Sequence, residues 1–125
     1  MIIGVGIDII EVSRIKALLK NKSSITRIFS PSEISYCSKT KRAAESFAAR
    51  FAAKEAVLKA IGTGWGTKDS PKWTEIEVRR SARGAAVIGL TGKAKAIAQR
   101  LGAKRFHLSI SHTKDMAAAT VIMES

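Results

Sequence analysis

SFAARFAAKEAVLKAIGTG, residues Ser46–Gly64, is the stretch on which the architecture of the chain turns. Its abundant alanines, with Lys54, Glu55, Leu58 and Lys59, lose little rotamer freedom in a helix, and Gly62 can take a positive φ and end one. The stretch therefore reads as a long helix. Phe47, Phe51, Leu58 and, nearer the margin, Ile61 recur at helical spacing and predict one apolar stripe. Glu55 lies one turn after Phe51 at the edge of that stripe, surrounded by Arg50, Lys54 and Lys59. Taken alone, Glu55 is accounted for as the acidic half of an (i, i+4) pair with Lys59, which stabilises a helix by about 0.2–0.5 kcal/mol. Its company elsewhere in the chain gives it a second reading.

Outward from this helix, 125 residues make one domain, 1–125, with room for a real core but not for two. No apolar run approaches the roughly 18 residues that span a bilayer, and the first residues lack the basic start and cleavage site of a signal peptide. A cytoplasmic location is expected. Cys37 is the only cysteine, which rules out an internal disulfide and leaves no thiol partner for a structural zinc site. The net charge of +12 is the strongest compositional fact, because such a surface attracts nucleic acid, acidic membranes, phosphorylated small molecules or acidic proteins.

At the amino terminus, Ile3, Val5, Ile7 and Ile9 alternate with Gly4, Gly6 and Asp8, a period of two that predicts a first strand with Asp8 opposite the isoleucines. Val12, Ile15, Leu18 and Leu19 then switch to a helical period, so strand runs almost directly into helix near residue 11. Asp8 and Glu11 are also spaced as a capping box, which gives Asp8 a purely structural reading as a helix cap. Residues 21–29 are polar without a clear period and read as a loop. Ser30-Pro31-Ser32-Glu33 combines a serine cap, proline at the first helical position and an acid three residues past the cap, predicting a short helix to about Ser38. Lys39-Thr40-Lys41-Arg42 reads as a solvated basic link into the central helix.

Beyond Gly62 the glycine-rich Gly62-Thr63-Gly64-Trp65-Gly66 allows either close approach of the main chain to a ligand or a plain flexible turn. Thr74–Arg80 and Ala85–Thr91 predict a hairpin turning at Gly84, and Thr91 a cap for a helix with Ala94, Ile97, Ala98 and Leu101 inward and Gly102 at its end. Phe106, Leu108 and Ile110 alternate with His107, Ser109 and Ser111, and Met116–Met123 forms a last strand. Strands and helices do not alternate regularly, so the expected class is α+β, a largely antiparallel sheet packed against a long central helix.

Two acids from different elements, Asp8 and Glu55, ringed by Arg50, Lys54 and Lys59, are an odd way to build a core and a sensible way to hold a diphosphate with its Mg²⁺. That hard cation takes one or two carboxylates and completes its shell with water and phosphate oxygens. His112, at the end of a strand, can bond a phosphate or a base, or only satisfy a turn carbonyl. A small nucleic-acid-binding protein is the rival from charge alone, but only 6% of residues are aromatic, and they sit at core-like spacings rather than on a stacking platform.

The blocks Gly6-Ile7-Asp8-Ile9-Ile10-Glu11-Val12-Ser13-Arg14-Ile15, Phe29-Ser30-Pro31-Ser32-Glu33, Arg50–Gly64 and Ser109-Ile110-Ser111-His112-Thr113 resemble, in that order, the signatures of the holo-[acyl-carrier-protein] synthase family. These are the short, single-repeat 4′-phosphopantetheinyl transferases. The resemblance covers nearly the whole chain. It implies an enzyme that moves the 4′-phosphopantetheine arm from coenzyme A to a serine of apo acyl carrier protein, releases adenosine 3′,5′-bisphosphate and serves fatty acid biosynthesis. It also implies a homotrimer with sites between subunits, while the low aromatic content and the lack of a long apolar run argue against a nucleic-acid partner and against a membrane. By resemblance Asp8 and Glu55 are the Mg²⁺ ligands, and Asp8, Glu55 and Lys59 carry the catalysis. Arg50, Lys54, Lys59, Gly62, Thr63 and His112 match positions that line the coenzyme A site. Arg14 matches a first-helix arginine that meets the acidic carrier protein, a patch that Lys16, Lys20 and Arg27 extend. Either Glu55 or a water beside the cation would take the serine proton. The chain departs from the family at Ala85, where a proline is usual, and at the bulkier turn Gly64-Trp65-Gly66.

Overall fold

In a computed structural model, which describes residues 1–63 and 68–125, the elements are β1 (Ile2–Glu11), α1 (Val12–Leu18), α2 (Lys22–Ile28), α3 (Pro31–Ser38) and α4 (Ala43–Ile61). A 3₁₀ turn at Trp73–Glu75 precedes β2 (Ile76–Arg80), β3 (Ala86–Leu90), α5 (Gly92–Arg100), β4 (Arg105–His112) and β5 (Met116–Glu124). One antiparallel sheet has the order β1-β5-β4, and β2 and β3 form a two-stranded antiparallel ribbon. The α+β class with an antiparallel sheet against a long central helix is what the chain adopts. The expectation for Gly64-Trp65-Gly66 lies outside the described residues.

Helix α4 crosses β1 and β5, and it is buried far more completely than a single stripe would require. Ala48, Ala52, Ala53 and Ala56 are fully buried, alongside Phe47, Val57 and Leu58. The alanines thus do more than favour helix: their size lets neighbouring elements come in from several sides. The closest approach is from β1, where a Cβ on Gly6 would lie 1.8 Å from the Ala56 carbonyl oxygen and one on Gly4 2.3 Å from that of Ala60. Strand and helix touch main chain to main chain there, which no side chain permits. The glycine face of β1 is therefore the inner one, and Ile3, Val5, Ile7 and Ile9 stand 37–65% exposed on the other.

The far side of α4 is closed by α3 and β2. Ser30 and Glu33 make the expected reciprocal capping box, with Glu33 Oε1 accepting from Ser30 N at 2.9 Å. Glu33 also goes further than a cap: Oε2 accepts from Val78 N at 2.9 Å, and Oε1 pairs with Lys54 Nζ at 2.8 Å, both side chains being fully buried. Phe29 meets Phe47 edge to face, ring centroids 4.9 Å apart, and Phe51 stacks on Trp73 at 5.0 Å. Gly62 ends α4 at φ 75°, as expected.

Three local expectations change. Residues 22–28 are helical, not loop: Asn21 Oδ1 accepts from Ser23 N and Ser24 N, and Ile28 turns inward. Seven residues rich in Ser and Thr dilute the period that would have revealed this helix. Asp8 is no helix cap, because β1 continues through it to Glu11. Helix α5 is not capped by the Thr91 side chain; Glu75 Oε2 accepts from Lys93 N at 2.9 Å while its Oε1 accepts from Lys72 N at 2.8 Å. Glu75→Ala is accordingly expected to lower stability by about 1–2 kcal/mol, the range of lost helix caps, whereas Thr91→Ala changes it little. Urea denaturation of the two variants measures both.

Candidate active site

The packing of β1 on α4 brings Asp8 within reach of Lys59. β1 runs antiparallel along α4, with Gly4 over Ala60 and Gly6 over Ala56. Asp8 is the next residue on that face, one step further toward the start of α4, and the Lys59 side chain, which leans back toward the helix N-terminus, reaches it. Lys59 Nζ donates to Asp8 Oδ1 at 3.2 Å and to the Ile7 carbonyl at 2.9 Å. Of the pair, the Asp8 side chain is 15% exposed and that of Lys59 54%, so the carboxylate is fixed in place and the ammonium can swing out. Lys59 thus reaches across to β1. Glu55 is half-buried one helical turn before Lys59, and Gly62 and Thr63 close the helix just after it.

A carboxylate that already draws in a cation, with a second acid on the adjacent helix turn, suits a hard divalent ion shared with phosphate oxygens. Among the described residues no group of three or more His, Cys, Asp and Glu gathers, so any such ion must complete its shell from elsewhere. Substrate phosphate and water do that for Mg²⁺.

A second constellation lies on the opposite side of α4. Arg50, Arg80, Ser109 and His112 line a cleft of about 310 Å³, with Ser46, Ala49, Ala86, Leu108 and Ile110 completing it. Tyr36 is covered by both guanidiniums, Arg50 at 4.3 Å and Arg80 at 5.1 Å from its ring centroid. Among the described residues Arg50 Nε is buried without a hydrogen-bond partner, an orphan donor of the kind that an anionic ligand satisfies. His112 Nδ1 lies 3.0 Å from Glu45 Oε1. Next to it a cleft of about 440 Å³ is lined by Lys16, Lys41, Arg42, Glu45 and Lys114, so part of the predicted basic link faces a cavity.

Lys54 does not belong with either group. Its expected place on a phosphate-binding surface is corrected by its burial: the ammonium is fully enclosed, paired to Glu33 and donating to the carbonyls of Trp73 and Ile76. Burial pulls its pKa below the ordinary lysine value, with the Glu33 carboxylate pulling the other way. Cys37 is buried on α3, and desolvation raises its thiol pKa, which makes it inert. Arg14, Lys16 and Lys20 are exposed on and just after α1, and Arg27 is exposed in the last turn of α2.

Sequence reasoning missed Glu45, Tyr36 and Arg80. Their partners lie far along the chain, and no local period marks them; the one available signal for Glu45 was an acid in a helix first turn, which helix electrostatics already explains.

At about 100° per residue, Glu55 sits about 140° and Lys59 about 180° around α4 from Arg50. One copy of the chain therefore presents its acids and its arginine–histidine cleft in opposing directions.

Residues 4–121 match the 4′-phosphopantetheinyl transferase superfamily. The chain is 48% identical over 126 residues to the holo-[acyl-carrier-protein] synthase of Koribacter versatilis, covering 99% of both. Among solved structures it is similar to the holo-(acyl-carrier-protein) synthase of Bacillus anthracis in complex with CoA (3′,5′-ADP), with TM-score 0.81, 39% identity, and coverage of 100% of this chain and 98% of the other. It is also similar to the holo-[acyl-carrier-protein] synthase of Neisseria meningitidis, with TM-score 0.87, 31% identity and full coverage of both.

Proposed function

The chain belongs to the holo-[acyl-carrier-protein] synthases of the 4′-phosphopantetheinyl transferase superfamily, and on that footing we propose that residues 1–125 act as one domain that transfers the 4′-phosphopantetheine arm of coenzyme A to a serine of apo acyl carrier protein. The reaction forms a bond from the serine oxygen to the β-phosphorus of coenzyme A. It breaks the diphosphate bridge and releases adenosine 3′,5′-bisphosphate. The observation that supports this reading is the ion pair of Asp8 with the half-exposed Lys59, one helical turn after Glu55 on α4.

Asp8 and Glu55 would hold Mg²⁺, which when bound neutralises charge on the diphosphate. The Glu55 carboxylate takes the serine proton as the oxygen attacks. Lys59, released from Asp8, places its ammonium against the leaving phosphate, whose charge grows in the transition state. Gly62 and Thr63 border the same strip. Arg50 and His112, with Arg80, receive the nucleotide end of coenzyme A.

The opposed faces of α4 support a site shared between subunits, acids from one copy and the arginine–histidine cleft from the next, in a homotrimer. The uncovered row Ile3, Val5, Ile7 and Ile9 supports it too, since four exposed β-branched side chains on one strand are a surface suited to a second copy. Arg14, Lys16, Lys20 and Arg27 form the docking face for the acidic carrier protein. No helix among the described residues is long and apolar enough to cross a membrane, in keeping with work in the cytoplasm on fatty acid biosynthesis.

Mass spectrometry of an apo carrier protein incubated with the chain, coenzyme A and Mg²⁺ is expected to show the added arm; a carrier of unchanged mass refutes the function. Coenzyme A with Mg²⁺ should also raise Tm, by the equivalent of about 2.7 kcal/mol at a hundred times Kd.

A further inference from the structure

Glu45 stands in the first turn of α4 and is only 7% exposed, although Lys41 and Arg42 precede it in the open. Its Oε1 is 3.0 Å from Nδ1 of His112, 67 positions along the chain, while its Oε2 is 3.8 Å from Arg42 Nε. The arginine is 76% exposed and loosely placed; the histidine is the closer partner. The pair separates two clefts. Glu45 lines the one with Lys16, Lys41 and Lys114, and His112 lines the one with Arg50 and Arg80.

The histidine side chain is 42% exposed, so without a partner its ring could adopt several rotamers and either tautomer. A carboxylate at Nδ1 removes that freedom. It accepts the Nδ1–H, fixes the ring plane and leaves Nε2 as the ring nitrogen free for another bond, the arrangement that also orients histidines bound to metals. We propose that Glu45 is a positioning residue that holds the His112 imidazole through Nδ1 so that Nε2 is presented to the nucleotide end of coenzyme A in the Arg50–Arg80 cleft. The proposal rests on the assignment of that cleft to coenzyme A made above. Glu45 acts through His112.

Steady-state kinetics at varied coenzyme A test it. Glu45→Ala is expected to raise KM for coenzyme A about tenfold, with kcat within about twofold of native and KM for the carrier protein unchanged. Glu45→Gln, whose amide oxygen still accepts from Nδ1–H, should recover most of that loss. In a His112→Ala background, Glu45→Ala should add nothing, because its effect runs through the missing ring. A native KM for coenzyme A in Glu45→Ala overturns the proposal, and so do two substitutions whose effects multiply. If Glu45→Ala does not fold, ¹⁵N NMR of the unaltered chain decides: a protonated, hydrogen-bonded Nδ1 on His112 supports the proposal, and an Nε2–H tautomer refutes it. Absence of transfer by the unaltered chain would strike the proposed function, whereas a native KM in the variant of an active enzyme strikes only the role of Glu45.

Discussion

Glu33→Ala is expected to cost the fold about 3–5 kcal/mol, which is most of the stability of a marginal domain of this size. The loss has two sources. Lys54 would lose its ion-pair partner while fully buried, and would have to hold its charge against the Trp73 and Ile76 carbonyls alone or give up its proton, both at a cost. The Ser30 and Val78 amides would lose their acceptor in the same step, leaving the Ser32–Glu77 hydrogen bond to tie the start of α3 to β2. Lys54→Met should cost less, because the Glu33 carboxylate would retain both amide donors and the methionine would fill much of the lysine volume. Urea unfolding followed by circular dichroism separates the two. Equal losses would show that the charge pair matters and the amide bonds do not; a Glu33→Ala variant within 1 kcal/mol of native, roughly the worth of one ordinary hydrogen bond, would show that neither does.

Glu55→Gln is expected to lower kcat by about 10²–10⁴-fold, the range that a positioned base supplies, while leaving the unfolding midpoint near that of the unaltered chain. The substitution keeps the shape of a half-buried side chain and removes only the charge and the basicity. Asp8→Asn should fall in parallel, since the same strip loses its other acid, and the Lys59 ion pair is reduced to a hydrogen bond to a neutral amide oxygen. A near-native rate in Glu55→Gln would end the assignment of the base. Co-assembly with a variant damaged on the other face of α4 adds a geometric test. Arg80→Glu reverses a charge in the anion cleft at an exposed position, so alone it should also be inactive. In mixed assemblies about a quarter of the sites would combine an intact acid strip with an intact cleft, and activity should return to about that level. No recovery would mean that both halves of a site come from one copy.

How far the chain could be read without coordinates depended on the distance over which each signal acts. The α4 helix, its Gly62 stop, the Ser30–Glu33 box and the alternation in β1 are written in neighbours a few residues apart, and each formed where expected. Helix α2 escaped because seven residues carry barely two turns of pattern, and its cap is an Asn21 side chain that composition alone describes as loop. Asp8 and Glu55, the acids of the proposed site, stand out in the sequence as two carboxylates from different elements with Arg50, Lys54 and Lys59 around them. Lys54 was misread for the opposite reason. Beside Glu55 in sequence it is about 100° away around the helix, and only the long-range meeting with Glu33 shows that it faces inward. Glu45 and His112 are 67 positions apart, so nothing local links them.

The bare strand at Gly4 and Gly6 determines which errors the active site can absorb. A crowded side chain can rotate and recover, but a main chain pressed against another has nothing to rotate. Within one copy, changes on the outer row of β1 leave that packing untouched, while a single methyl group at position 6 would meet the Ala56 carbonyl and force strand from helix two residues from Asp8.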